Sequence, residues 1–226
     1  MKKHTQDYKK QIKEYGRQQA VQISYVKNGK EIVLTNSEIN SATPHYDGDL
    51  LKSIMKELDL DSNVNIPVGT KIRFKHGILV NEAYEYIDYG NYYVYSSDLS
   101  EDTLSYNIKC YDIMINSMKD YEETGVPYPC TIKDFMSALC IKCNLKMKAN
   151  MHFANEDRIL TRDLFKGLGY KYRNVFDQLA QVTGGVICAT LDDEIEVRYI
   201  NETNDTIDEE YINDTNVNFG EKYRTN

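Results

Sequence analysis

The sequence predicts an α+β protein: a small antiparallel β-barrel-like domain carrying one packed helix, then a second α+β lobe of two helices and a β-hairpin. Three observations carry this prediction. In several segments between Ala20 and Ile113 apolar and polar residues alternate with the period of two that half-buried strands need. Beyond Asp120 the apolar residues recur at helical spacing behind capping residues. Between the two patterns, Gly125-Val126-Pro127-Tyr128-Pro129 sets two prolines that stiffen the chain and exclude a central strand. At 226 residues the chain has room for two lobes at the usual ~150 residues per domain. The expected division is residues 1–19 as a basic helix or arm, 20–120 as the β-barrel-like domain, 121–200 as the α+β lobe and 201–226 as an acidic connector.

The N-terminal stretch carries Lys2, Lys3, Lys9, Lys10, Lys13 and Arg17 against Asp7 and Glu14. Its apolar positions, Tyr8, Ile12 and Tyr15, lie at i, i+4 and i+7, a thin helical stripe. Two readings are open, a solvated and frayed terminus or a docked helix that touches a neighbouring subunit. Val21, Ile23 and Tyr25 then alternate with polar residues, and Asn28-Gly29 supplies the positive φ angles of a tight hairpin before Glu31-Ile32-Val33-Leu34. Leu50, Leu51, Ile54, Met55 and Leu58 fall at helical spacing behind Asp47 or Asp49 as cap, so this stretch is expected to be the helix packed on the strands.

Strand pattern returns at Ile72 and Phe74, with Lys71, Arg73 and Lys75 on the opposite face. That basic face is either solvated or a contact surface for an acidic partner. Tyr84, Tyr86 and Ile87, then Tyr92, Tyr93, Val94 and Tyr95, flank Tyr89-Gly90-Asn91, which is expected to turn a second hairpin. A further strand is expected over Leu104 to Ile113, with Tyr106, Ile108 and Cys110 on one face.

In the second lobe, Thr131 and Asp134 are spaced as a capping box, with Asp in place of Glu. Ile132, Phe135, Met136, Leu139, Cys140 and Cys143 follow as one helical stripe. A second helix runs from an Asn174 cap through Val175, Phe176, Leu179, Ala180 and Val182 to Gly184-Gly185. Val186 to Leu191 and Ile195 to Ile200 make a hairpin around Asp192-Asp193. Residues 201–226 hold seven acids against Lys222 and Arg224, a composition that suits an extended connector.

Composition narrows the function. Hydrophobic residues are 41% and charged residues 27%, as in an ordinary globular chain. The longest apolar stretch, Val186 to Leu191, is far short of the ~20 residues of a membrane span, and the N-terminus lacks the apolar core of a secretory signal. A net charge of -8 repels a phosphate backbone, which argues against nucleic-acid binding. Five cysteines in a chain expected to start in a cytosol read as reduced thiols. The 19 tyrosines without a tryptophan suit half-buried strands and protein interfaces, a hint of assembly.

No mechanism emerges from the residues. Cys140 and Cys143 lie near the C-terminal end of a helix on its apolar face, away from the N-terminal dipole that activates a redox pair, and no second Cys or His pair completes a zinc set. Asp59-Leu60-Asp61-Ser62-Asn63 opens like a calcium loop but lacks the glycine and the final glutamate. His4, His45, His76 and His152 are scattered, and Asp192-Asp193-Glu194 reads as a solvated turn. No catalytic, cofactor or metal residues are assigned. The candidate interface residues are Lys71, Arg73, Lys75, Tyr84, Tyr86, Tyr92 and Tyr93.

Several stretches carry a resemblance. These are Leu50 to Asp59, Asn65-Ile66-Pro67-Val68-Gly69-Thr70, Tyr86-Ile87-Asp88-Tyr89-Gly90-Asn91-Tyr92, Cys110-Tyr111-Asp112 with Ser117 to Tyr121, and Asn216 to Tyr223. In number and order they resemble the N-terminal region of prophage and siphophage tail-tip proteins of Gram-positive hosts, the minor structural or tail-associated lysin (Tal) proteins. The resemblance implies a baseplate-hub fold in which barrel domains from three chains build a ring that continues the tail tube. It implies a homotrimer, with a distal-tail protein ring and a tape-measure protein as partners. The 121–200 lobe would be an insertion, and the acidic stretch would lead to a second barrel beyond residue 226. The expected function is a virion structural protein of the phage tail, assembled in the host cytoplasm, and not an enzyme. The alternatives are a cell-wall hydrolase or endopeptidase component whose catalytic part lies elsewhere, or a tyrosine-rich carbohydrate-binding module.

Overall fold

The computed structural model describes residues 5–14, 16–47 and 49–199. Tyr15 and the 201–226 connector lie outside these residues, as does the final residue of the expected strand at Ile200. The helices are α1 (Gln6–Gln11), α2 (Ile132–Lys142) and α3 (Tyr172–Thr183), with a 3-10 turn over Ile113–Met118. The strands are β1 (Gln19–Lys27), β2 (Lys30–Leu34), β3 (Ile39–Asp47), β4 (Ser53–Ser62), β5 (Lys71–Val80), β6 (Ala83–Leu99) and β7 (Tyr106–Tyr111). They continue with β8 (Cys130–Thr131), β9 (Lys146–Met147), β10 (Ile159–Leu160), β11 (Val186–Ala189) and β12 (Glu194–Arg198). The α+β class holds, with sheet predominating.

The chain packs as two units, each with its own core. One comprises residues up to 45 with 57–110, the other 46–56 with 111–199. The expected division near Asp120 misses the short piece 46–56, which packs with the later residues.

In the first unit the strands follow the order β2-β1-β5-β6-β7-β4, with β3 also paired to β4. The path is open, so the expected barrel is corrected to a sheet with an edge at β2. Asn28 and Gly29, at φ of 53° and 75°, close the β1–β2 hairpin with Lys27 opposite Lys30, as the sequence predicts. Ile23, Tyr25, Leu34, Leu58, Leu60, Ile72, Phe74, Tyr92, Val94, Ile108 and Cys110 make the core. Full burial of each such aliphatic or aromatic side chain contributes about 1.5–3 kcal/mol.

The helix expected over Leu50–Leu58 is instead strand β4. Leu50 and Leu51 are exposed in the preceding turn, where Leu51 takes φ 58°. Along β4 the buried positions are Ser53 and Met55, then Lys56, Leu58, Leu60 and Ser62. The inward face thus changes parity by one residue between Met55 and Lys56. Met55 joins the core of the second unit, whereas Leu58 and Leu60 join that of the first. Two strand phases offset by one residue put Ile54, Met55 and Leu58 at helix-like intervals, which is why the period misleads.

The helix that packs on the first unit is α1. Thr5 caps it, its Oγ accepting from the Tyr8 N–H at 3.1 Å. Tyr8 and Ile12 are buried against Ile78, with Val80 and Ile87 beside them. Polar contacts fix it to the far end of the β5–β6 hairpin: Thr5 donates from its Oγ to Glu85 at 2.7 Å, and Asn81 donates to Asp7 at 2.9 Å. The stretch is neither frayed nor seen on a neighbouring subunit, the two open readings; it docks onto its own chain.

The second unit matches its expected elements closely. The Thr131–Asp134 capping box forms, with the Asp134 N–H donating to Thr131 Oγ at 3.0 Å. Ile132, Phe135, Met136, Leu139, Cys140 and Cys143 are all buried. The N-cap of helix α3 is Lys171 rather than Asn174; Asn174 sits in the first turn and its Oδ1 accepts from the Lys171 N–H at 2.9 Å. Gly184 ends α3 at φ 68°, and the Gly185 N–H reaches the Ala180 carbonyl at 3.2 Å. β11 and β12 pair antiparallel around Asp192-Asp193. The first residues of β4 pair parallel with β11, Ser53 opposite Ile187, and β9 pairs parallel with β12. The pairing is therefore mixed and not wholly antiparallel as expected.

Candidate protein interface

Strands β5 and β6 form the longest hairpin, running from Lys71 opposite Tyr93 to Val80 opposite Ala83. Its turn is Asn81-Glu82, both at positive φ (47° and 68°). The expected turn at Tyr89-Gly90-Asn91 is instead a bulge inside one continuous strand. Phe74 faces Gly90 and Lys75 faces Asp88, which leaves Tyr89 as the extra residue. Gly90 takes φ 91°, and its N–H donates to Asp88 Oδ1 at 2.9 Å.

The bulge decides the character of the surface. Cross-strand partners share a face, and those of Lys71, Arg73, Lys75, Gly77 and Leu79 are Tyr93, Asn91, Asp88, Tyr86 and Tyr84. In an unbulged strand Tyr84 and Tyr86 would lie on the face opposite Tyr93. The extra residue brings them together on the outer face, while Tyr89 turns inward with its ring 5.3 Å from Phe74. A glycine inside a strand was the signal that could have revealed the bulge.

Six of the seven candidate residues therefore share one face. Arg73 donates to Asp88 Oδ2 from Nε at 2.9 Å and from Nη2 at 2.6 Å. Burial alone would raise the Asp88 pKa, but the Arg73 and Gly90 hydrogen bonds outweigh it and hold the carboxylate below its usual value. The ammonium of Lys71 stands 5.9 Å over the Tyr93 ring. Tyr84 and Tyr86 are 6.1 Å apart, and the Tyr86 ring covers Gly77 so closely that a Cβ there would come within 2.7 Å of it. Tyr92 is the exception. It is fully buried, edge-on to Phe74 at 6.2 Å, and as an interface residue it is corrected to a core residue.

The sequence reading missed the acidic and apolar members of this face. Asp88 offsets the basic charge, and Ser24 of β1 stands opposite Arg73. An open depression of about 480 Å³ is lined by Ser24, Val26, Glu31, Thr70, Lys71 and Arg73 among others. Val26 and Val33 beside it are 65% and 46% exposed, apolar surface that a protein partner can cover.

The five cysteines are free and buried, and burial pushes the thiols of Cys110, Cys140 and Cys143 up to about 12, which suppresses their thiolate forms. Among the described residues no group of three or more His, Cys, Asp or Glu side chains is placed to hold a metal ion, and no helix is long and apolar enough to cross a membrane.

No protein-family model and no curated protein sequence matches the chain. The fold is similar to that of the 43 kDa tail protein of prophage MuSo2 from Shewanella oneidensis, with a TM-score of 0.50 and 13% identity over 81% of this chain and 57% of that one. A solved prophage tail protein, gp18 from Listeria monocytogenes EGD-e, matches with a TM-score of 0.46 and 11% identity over 81% of this chain and 56% of that one. The chain thus spans under two thirds of the length of either tail protein. The likeness to the MuSo2 protein establishes a shared fold.

Proposed function

We propose that the protein is a structural component of a phage tail, a tail-tip or baseplate-hub subunit that continues or closes the tail tube. The observation that carries this reading is the fold shared with the MuSo2 tail protein over 81% of the chain, in line with the tail-tip resemblance of the sequence motifs. The outer face of β5 and β6 suits the role, because rigid tyrosines beside charges of both signs give contact area and register without a reaction centre. In this reading the homotrimer forms through that face, and residues 20–120 supply the ring. Its partners in this reading are the distal-tail ring and the tape-measure protein.

The test is immunolabelling of phage particles released by a host that carries this sequence, using antibodies raised against the chain. Label at one end of the tail is the expected result. Particles that stay unlabelled while the chain remains free in the lysate would overturn the proposal.

A further inference from the structure

Between β10 and α3 the second unit carries a short basic loop, residues 162–171, that is ordered from beneath and bare at its tip. It holds Arg162, Lys166 and Lys171 against a single acid, Asp163. That acid is turned back into the loop, where it accepts from Tyr121 Oη at 2.7 Å and from the N–H groups of Phe165 and Lys166 at 2.8 and 3.2 Å. Phe165 anchors the base, stacked 5.7 Å from Phe135 and edge-on to Tyr121 at 6.2 Å. The Leu168 N–H closes a turn onto the Phe165 carbonyl at 3.3 Å.

With these contacts made, Leu164 and Leu168 are left 53% and 55% exposed. Leu168 stands between Gly167 and Gly169, at φ of 76° and 66°, and a Cβ built at either glycine would meet nothing within 4 Å. The backbone at this tip is clear of its neighbours. Arg162, Lys166 and Lys171 are exposed as well. Lys166 meets Glu123 at 3.0 Å in an exposed pair that holds it weakly, whereas Arg162 and Lys171 form no ion pair among the described residues.

The combination of leucines and cations selects the occupant. Nucleic acid would meet the cations but leave the leucines in water. An acidic helix of another protein is held by a groove, whereas these leucines project from a loop tip. An anionic bilayer accepts both, the leucines entering the acyl boundary and the long basic side chains staying among the headgroup phosphates. The net charge of -8 does not prevent this, because at physiological salt charges act over only about 8 Å and the one acid of the loop is engaged from within. We infer that the 162–171 loop docks on an anionic lipid surface, with Leu164 and Leu168 inserted and Arg162 and Lys166 at the phosphates. This docking does not depend on the tail function.

Flotation of the full chain with lipid vesicles tests it. Vesicles of equimolar phosphatidylglycerol and phosphatidylcholine should carry the chain upward, and vesicles of phosphatidylcholine alone should leave it behind. Arg162→Glu/Lys166→Glu and Leu164→Ser/Leu168→Ser should each weaken binding to the anionic vesicles about tenfold or more. The chain has no tryptophan, so Leu168→Trp places a sole fluorescent reporter at the tip, and its emission should move to the blue when anionic vesicles are added. That variant decides the matter if a double substitution loses the helical signal of α2 and α3. A parent chain left behind by the anionic vesicles would overturn the inference and favour an acidic protein as the partner. Equal binding to both kinds of vesicle, binding that the substitutions leave unchanged, or an emission that does not move would overturn it too.

Discussion

The two units differ in what fixes their elements. In the second, each helix boundary is set by a local device: the Thr131–Asp134 box starts α2, Asn174 braces the first turn of α3, and Gly184 ends it. In the first, the faces of the strands are set by pairing. The inward parity of β4 shifts at Lys56, and that of β6 shifts at the Tyr89 bulge. Local chemistry fixes where a helix begins, but only the neighbouring strand fixes which side of a strand is inside.

The comparison can be broken most sharply at the two cores. Phe135→Ala in the second unit and Tyr92→Ala in the first each delete a side chain with no exposure, and each should cost about 3–5 kcal/mol in chemical denaturation. If the units unfold separately, near-ultraviolet and helical signals will part in one variant and not the other; coincident transitions in both would join the cores into one cooperative system.

Gly77→Ala tests the pairing rule. The new Cβ would meet the Tyr86 ring, and an overpacking cost of about 1–3 kcal/mol is expected. In the Tyr86→Ala background the same substitution should cost much less, a coupling that a double-mutant cycle reads directly. Thr131→Ala tests the local rule, with a loss of about 1 kcal/mol from the α2 cap.

Titration supplies a finer test in the second unit. Asp112 is 1% exposed, and burial raises its pKa to about 6 against the opposing pull of Lys56. Because the folded pKa lies above the unfolded one, the folded protein binds more protons between about pH 4 and 6. The group therefore favours folding at the acid end of that window and loses this contribution as pH rises through it. Asp112→Asn lacks the titration, so the stability of the parent relative to the variant should fall from pH 4 to pH 6. Asp88, Glu156 and Glu196, whose pKa values are lowered, slope the other way and cancel in this difference. A constant difference in urea midpoints across the window would contradict the assignment. The smallest effect is expected at Arg73→Ala, which removes a partly exposed ion pair contributing about 0–1 kcal/mol.

Much of the second unit was legible for the reason just given. The capping box, the buried stripe from Ile132 to Cys143 and the Asp192-Asp193 hairpin all depend on residues within a few positions of one another. The Asn28-Gly29 turn was readable on the same grounds. The helix expected at Leu50–Leu58 was misread because β4 changes cores midway along its length, a fact held in β11 and β7 and not in β4 itself. At the candidate interface the basic residues and most of the tyrosines were legible as types. Their gathering on one face was not, since it depends on a single unpaired residue, and Tyr92 could not be told from its neighbours until the bulge fixed which tyrosine turned inward.

The central claim is that this gathered face is an assembly surface, and sedimentation velocity tests it most directly. The parent chain should sediment, over a range of rising concentrations, toward three times its 26.2 kDa, while Lys71→Glu/Lys75→Glu stays at the monomer mass with its fold intact. A parent chain that remains monomeric throughout, or a variant that assembles equally well, would contradict it.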